Sequence, residues 1–145
     1  MNTNRLKDQM RANAEEIVRL HSRVHSTFKK RDNGPEARAD WEGACAEFQK
    51  RYDNLAFPGG YHGPRGQNGA RARILSGDAE AVEAALCFLE MRPYFFRSGY
   101  MFKSLLRWCS RAPLSPSQSA RLEAIKAALA EWKRKNEDPK GVPFS

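Results

Sequence analysis

Read from the N-terminus, apolar residues recur at Leu6, Met10, Ile17, Leu20, Val24 and Phe28. With Asn13 counted, steps of four and three residues keep these positions within ~80° of arc at the helical period. That is the narrow seam of a coiled coil, not the broad face of a globular helix. It predicts one helix over 4–30, stopped by the turn from Arg31 to Pro35, with Pro35 suited to the first position of the next helix. Trp41, Cys45, Phe48, Tyr52 and Leu55 repeat the spacing and predict a second helix over 35–55. Two stripes joined by a short turn make an antiparallel hairpin. At the α-helical rise the arms are ~40 Å and ~31 Å long. The first should therefore overhang and either dock elsewhere or meet a partner chain.

Residues 57–77 break the pattern, holding six of the ten glycines. They predict a Gly-rich loop with at most a short helical turn at Ala70–Leu75. A third helix over 78–91 is capped by Ser76 or Asp78. Val82, Ala85, Leu86 and Leu89 form its main buried face, and Ala81 and Phe88 add a second apolar side, which places it centrally. A fourth helix over 98–111 sets Met101, Phe102, Leu105, Leu106, Trp108 and Cys109 on one arc. Ser115, Pro116 and Gln118 form a capping box for a fifth, with Leu122, Ile125, Leu129 and Trp132 facing inward. No segment alternates with period two. The expected fold is all-α, one domain over 1–145: a helical bundle of five or six helices and no sheet. It divides into a hairpin (1–56), the loop (57–77), a three-helix section (78–136) and a frayed tail (137–145).

Composition narrows the classes. A chain of 145 residues with 41% apolar content can build a core without a cofactor or metal, and none is expected. No apolar run approaches the ~18 residues of a membrane span, and no signal-like segment opens the chain. Cys45, Cys87 and Cys109 lack any metal-binding spacing and read as the reduced, mostly buried thiols of a cytoplasmic protein.

Charge changes the picture more. The net charge is +8, and residues 55–112 carry 8 basic against 4 acidic groups. Two windows there hold no acid at all: 54–77, with Arg65, Arg71 and Arg73, and 91–111, with Arg92, Arg97, Lys103, Arg107 and Arg111. Tyr100 and Ser104 share the outward arc of the fourth helix with Arg97, Lys103, Arg107 and Arg111. An outer face usually mixes signs, so a one-sign arc points to an anionic target. In the loop, Tyr61, His62 and Arg65 supply a hydroxyl, an imidazole and a fixed cation, and glycines let backbone N–H groups approach a ligand. If the loop folds beside the fourth helix, Tyr61, Tyr94 and Tyr100 would wall a single anion pocket.

Other chemistry is thinly represented. His21 and His25 stand four apart on one helix, but Ser22 occupies the place of a zinc-protease glutamate and no third ligand is near. Neither a nucleotide P-loop nor a nucleophile elbow occurs. Carboxylate pairs such as Glu80 and Glu83 read as solvated charge. The leading expectation is a non-catalytic protein-protein interaction module with an anion-binding basic face. Its surfaces would be the overhang of the first helix and the fourth helix, and a homodimer is permitted. The alternatives are nucleic-acid binding through the same face, or a small-ligand or enzymatic site at the loop.

Overall fold

A computed structural model describes residues 2–63 and 69–136. The expected Arg65 and the expected frayed tail at 137–145 lie outside the described residues. The order is α1 (Thr3–Phe28), α2 (Pro35–Ala56), α3 (Ala70–Leu75), α4 (Ala79–Met91), α5 (Ser98–Cys109) and α6 (Pro116–Lys135). The described residues are all-helical without a strand, as the periodicity predicts.

Helix ends follow the local chemistry. Asn2 caps α1 by accepting from the Arg5 N–H, and Asp78 caps α4 by accepting from Ala81. The capping box at Ser115 and Gln118 is present, with Pro116 in the first turn. The α1–α2 hairpin forms on the predicted seam, but its burial is uneven. Met10, Ala14, Ile17 and Leu20 are buried, whereas no residue from 21 through 43 is fully buried. The core lies at the other end, around α4. Eight of the thirteen α4 residues are buried, because α1, α3, α5 and α6 all pack on it.

That central helix also settles the overhang. The first turns of α1 dock on α4: the Thr3 hydroxyl donates to Glu83 at 2.6 Å, and Lys7 Nζ stands 3.1 Å from Glu90. The overhang therefore docks within the chain on one side, while Asn4, Arg5, Asp8 and Gln9 stay exposed. Glu83 departs from its expected role as solvated charge for the same reason. Its side chain is only 13% exposed and meets Arg121 from α6 at 2.5 Å. Within residues 57–77, α3 fills 70–75, where the sequence allows a short helical turn.

Candidate functional site

Two surface regions contain the predicted residues. The first is the loop after α2. Asp53, in the last turn of α2, accepts hydrogen bonds from the backbone N–H groups of His62 and Gly63 at 2.8 and 3.2 Å. His62 Nδ1 lies 3.0 Å from the same carboxylate. Arg73 of α3 donates to the carbonyl oxygens of Pro58 and Gly60 at 3.0 and 2.6 Å, with its guanidinium 5.6 Å from the Phe57 ring. Gly59, Gly60 and Gly63 take positive φ to let this coil close. Arg73 thus clamps the loop, a structural duty that the sequence does not reveal.

The loop packs on α5. Tyr61 stacks on Trp108 with centroids 5.8 Å apart. Burial pushes the Tyr61 phenol up, while Ser104 and Arg107 pull it the other way. Tyr61, His62, Arg71 and Trp108 line a cavity of about 470 Å³. A methyl on Gly69 would clash with the His62 carbonyl group. That backbone cannot yield as a flexible side chain can. Gly69→Ala should therefore loosen the loop from α5 and cost about 1–3 kcal/mol, the usual range for overpacking. The measurement is amide exchange at Ala70, whose N–H donates to the Tyr61 carbonyl at 2.8 Å. Wild-type protection at Ala70 would refute this account of the loop.

The second region is the α4–α5 corner. Arg92 and Arg97 both adopt left-handed backbone, at φ 50° and 68°. For a residue with a Cβ such a conformation costs of order 1 kcal/mol or more and persists only where its surroundings hold it. Here the holding is visible. Phe95 is buried, edge-on to Phe88 at 6.1 Å and to Tyr52 at 6.0 Å. Its N–H donates to the Ser98 hydroxyl at 3.1 Å. The Tyr52 hydroxyl donates to the Phe96 carbonyl at 2.6 Å, and burial pushes that phenol up to about 12, so it remains a donor at ordinary pH.

With Phe95 turned inward, its neighbours turn out. Tyr94 is 89% exposed and Tyr100 is 73% exposed. Phe96 stacks on His21 of α1 at 4.7 Å, and His25 meets His21 edge-on at 4.6 Å. Burial, then the neighbouring His25, hold the His21 imidazole below its ordinary range. Among the described residues no group of three or more His, Cys, Asp or Glu side chains could hold a metal.

Tyr94, Tyr100, Arg97 and Lys103 line a groove of about 550 Å³, separate from the loop cavity. The three tyrosines therefore divide between two concavities: Tyr61 faces one, Tyr94 and Tyr100 the other. Arg92 lies over the Phe102 ring at 4.5 Å and the Trp132 ring at 5.2 Å, which leaves Trp132 at the surface and not in the core.

The family models, the curated proteins and the solved structures contain no match to this chain.

Ion pairing differs in degree across the molecule: exposed Arg5, Lys29, Lys30, Lys50 and Lys133 also lack a carboxylate partner among the described residues, but most arginines of the hairpin are paired. Carboxylates pair with Arg19, Arg23, Arg38 and Arg51 on the hairpin, and with Arg121 and Arg134 on α6. Arg71, Arg92, Arg97, Lys103, Arg107 and Arg111 are exposed, and no carboxylate lies within ion-pair distance of them among the described residues. Two of the three thiols, Cys87 and Cys109, are buried. Burial pushes Cys109 up to about 11 and raises Cys87 as well, and a protonated thiol is a poor nucleophile. No helix among the described residues is long and apolar enough to cross a membrane.

Proposed function

We propose that this protein is a non-catalytic binding module that engages an acidic region of another protein through α5 and the corner before it. The observation that carries the reading is the set of exposed cations with no carboxylate beside them. Three of them, Arg97, Lys103 and Arg107, belong to α5 or its N-cap, and Arg111 follows its C-cap Ser110. Tyrosine and arginine are the side chains most often found as anchors at protein interfaces, and both are exposed here. Leaving such a face uncompensated raises self-repulsion, and complementary charge on a partner relieves it while steering encounter. The three free cysteines fit a reducing, cytoplasmic setting.

Nucleic acid is the second reading. Exposed rings beside unpaired cations also suit the stacking of single-stranded bases. The two readings separate in one titration, in which the full chain meets poly-L-glutamate or oligo(dT) at low and at physiological salt. The acidic-protein reading expects poly-L-glutamate to bind and to weaken with salt. Triple reversal of Lys103, Arg107 and Arg111 to glutamate should weaken it at least tenfold. Tighter binding of oligo(dT), with a steep salt slope, transfers the face to nucleic acid. Absence of binding to either polymer at low salt overturns both readings.

A further inference from the structure

Three rings from three parts of the chain meet the His21 imidazole. Phe96 of the α4–α5 corner stacks on it at 4.7 Å, and Phe48 of α2 lies tilted to it at 5.5 Å. His25, one turn further along α1, meets it edge-on at 4.6 Å. The Phe96 ring is shared, because the Arg97 guanidinium lies over it at 5.3 Å. His21 also lines the groove that holds Arg97 and Lys103. Arginine, lysine and tyrosine keep their charge states across the neutral range. His21 is therefore the one side chain lining this groove whose charge changes between pH 5 and 8.

The charges that face His21 are of one sign. On α1 its titratable neighbour is His25, since Arg19 and Arg23 are paired with Glu16 and Glu47. On α2 the carboxylate of Glu47, beside Phe48, is taken by Arg23 and Arg51. The corner and α5 contribute Arg97 and Lys103, with the phenols of Tyr94 and Tyr100. Among the described residues no carboxylate stands within ion-pair distance of His21. Burial and then His25 hold the imidazole below its ordinary range, near 6.5, so its proton arrives on the acid side of that value.

We propose that His21 sets the pH response of this groove: by taking a proton from solvent it adds a third cation to Arg97 and Lys103 and tightens the hold on an acidic partner. The inference rests on the protein-binding reading above and specifies its regulation. The stack with Phe96 does not oppose the change, because a cation over an aromatic face is itself a favourable contact. The corner can therefore stay seated on α1 while the groove gains charge. The coupling is reciprocal. An anion held in the groove raises the proton affinity of His21 by the same factor by which the proton raises affinity for the anion.

The test titrates the full chain with labelled poly-L-glutamate at low salt, read by fluorescence anisotropy. Two conditions are compared, about pH 8 and about pH 5.5, at both of which glutamate, with an ordinary pKa of about 4.3, stays ionised. The wild type should bind about threefold tighter at the lower pH, the size of one added surface charge pair. His21→Gln should lose most of that gain. His21→Lys should bind at pH 8 as tightly as the wild type does at pH 5.5. His25→Gln removes a like charge from beside His21 and should move the midpoint of the response to higher pH. A histidine that only packs would leave that midpoint where it is. Circular dichroism checks that each variant keeps its helices. If His21→Gln retains the full gain, other groups supply the response and the inference falls. It falls as well if the wild type binds equally at both pH values, or more weakly in acid. The basic-face reading survives each of those results. No binding at either pH overturns that reading, and the inference with it.

Discussion

Phe88→Ala is expected to destabilise the protein by about 3–5 kcal/mol, the range for removing a buried aromatic ring and leaving a cavity. Phe88 is 1% exposed in the C-terminal half of α4. The four helices packed on α4 cannot all collapse into the vacated space. The ring also backs Phe95, which it meets edge-on, so its loss removes the inward anchor of residues 92–97. Equilibrium unfolding in urea measures the effect, with the slope checked for constancy. Phe28→Ala serves as the reference, since that ring is 43% exposed near the end of α1 and its removal should cost below about 1 kcal/mol. Equal losses for the two variants would mean that the core is not where α4 places it.

A second consequence reaches the candidate site. In a Phe88→Ala protein that still folds, Tyr94 and Phe96 should lose their fixed outward setting before the hairpin loses its helicity. The backbone of Arg92 and Arg97 is held left-handed by the packing of Phe95, by the Ser98 bond and by Tyr52. The groove lined by Tyr94, Arg97, Tyr100 and Lys103 is thus a product of the core beneath it. Its apolar floor and its cationic end are both set by which of three successive aromatics points inward.

That choice explains what was legible in the chain and what was not. Periodicity located the helices, because burial on a 3.6-residue repeat is a local record of a tertiary fact. The seam of α1, the capping box of α6 and the central place of α4 all follow from it. The stretch from Arg92 to Arg97 has no repeat, and nothing local distinguishes Phe95 from Phe96. Contacts from Tyr52 and Phe88, distant in sequence, make the decision.

The misplaced residues share this origin. Glu83 was expected in water because a charge on a helix usually faces it, yet Thr3 and Arg121 come from far along the chain to meet it. Trp132 was expected inward on its stripe and instead flanks Arg92 at the surface. Arg73 looked like a ligand-binding cation and is engaged by loop carbonyls. Missing acids at 91–111, by contrast, were visible in the sequence, and the α5 cations stand without carboxylate partners among the described residues. Composition reports an absence reliably when no distant segment brings the missing charge back.

Arg121→Met should cost about 2 kcal/mol, between the values for exposed and for buried charge pairs because the groups are partly solvated. Arg121 reaches from α6 to two carboxylates of α4. It meets Glu83 at 2.5 Å, and Glu90 at 2.7 and 3.1 Å. Lys7 of α1 also holds Glu90, and Thr3 also holds Glu83, so one cluster ties three helices together. Burial alone would raise the Glu83 carboxyl, but the bonds from Thr3 and Arg121 outweigh it and hold the group below its ordinary range. For Glu90 the Arg121 bond is the largest influence, and it prevails over burial.

The sign of the pH dependence follows. Both carboxylates bind protons more weakly in the folded chain than in the unfolded one. Their contribution is complete above the ordinary glutamate pKa of about 4.3 and is lost as pH falls through the lowered folded values. Arg121→Met removes a principal cause of the lowering. The gap between wild type and variant in urea unfolding should therefore be widest at neutral pH and close progressively below about pH 4. Arg121→Lys should recover only part of the loss, since an ammonium cannot span both carboxylates as the forked guanidinium does. A pH-independent gap would locate the cost in lost packing of the arginine stem and remove the electrostatic account.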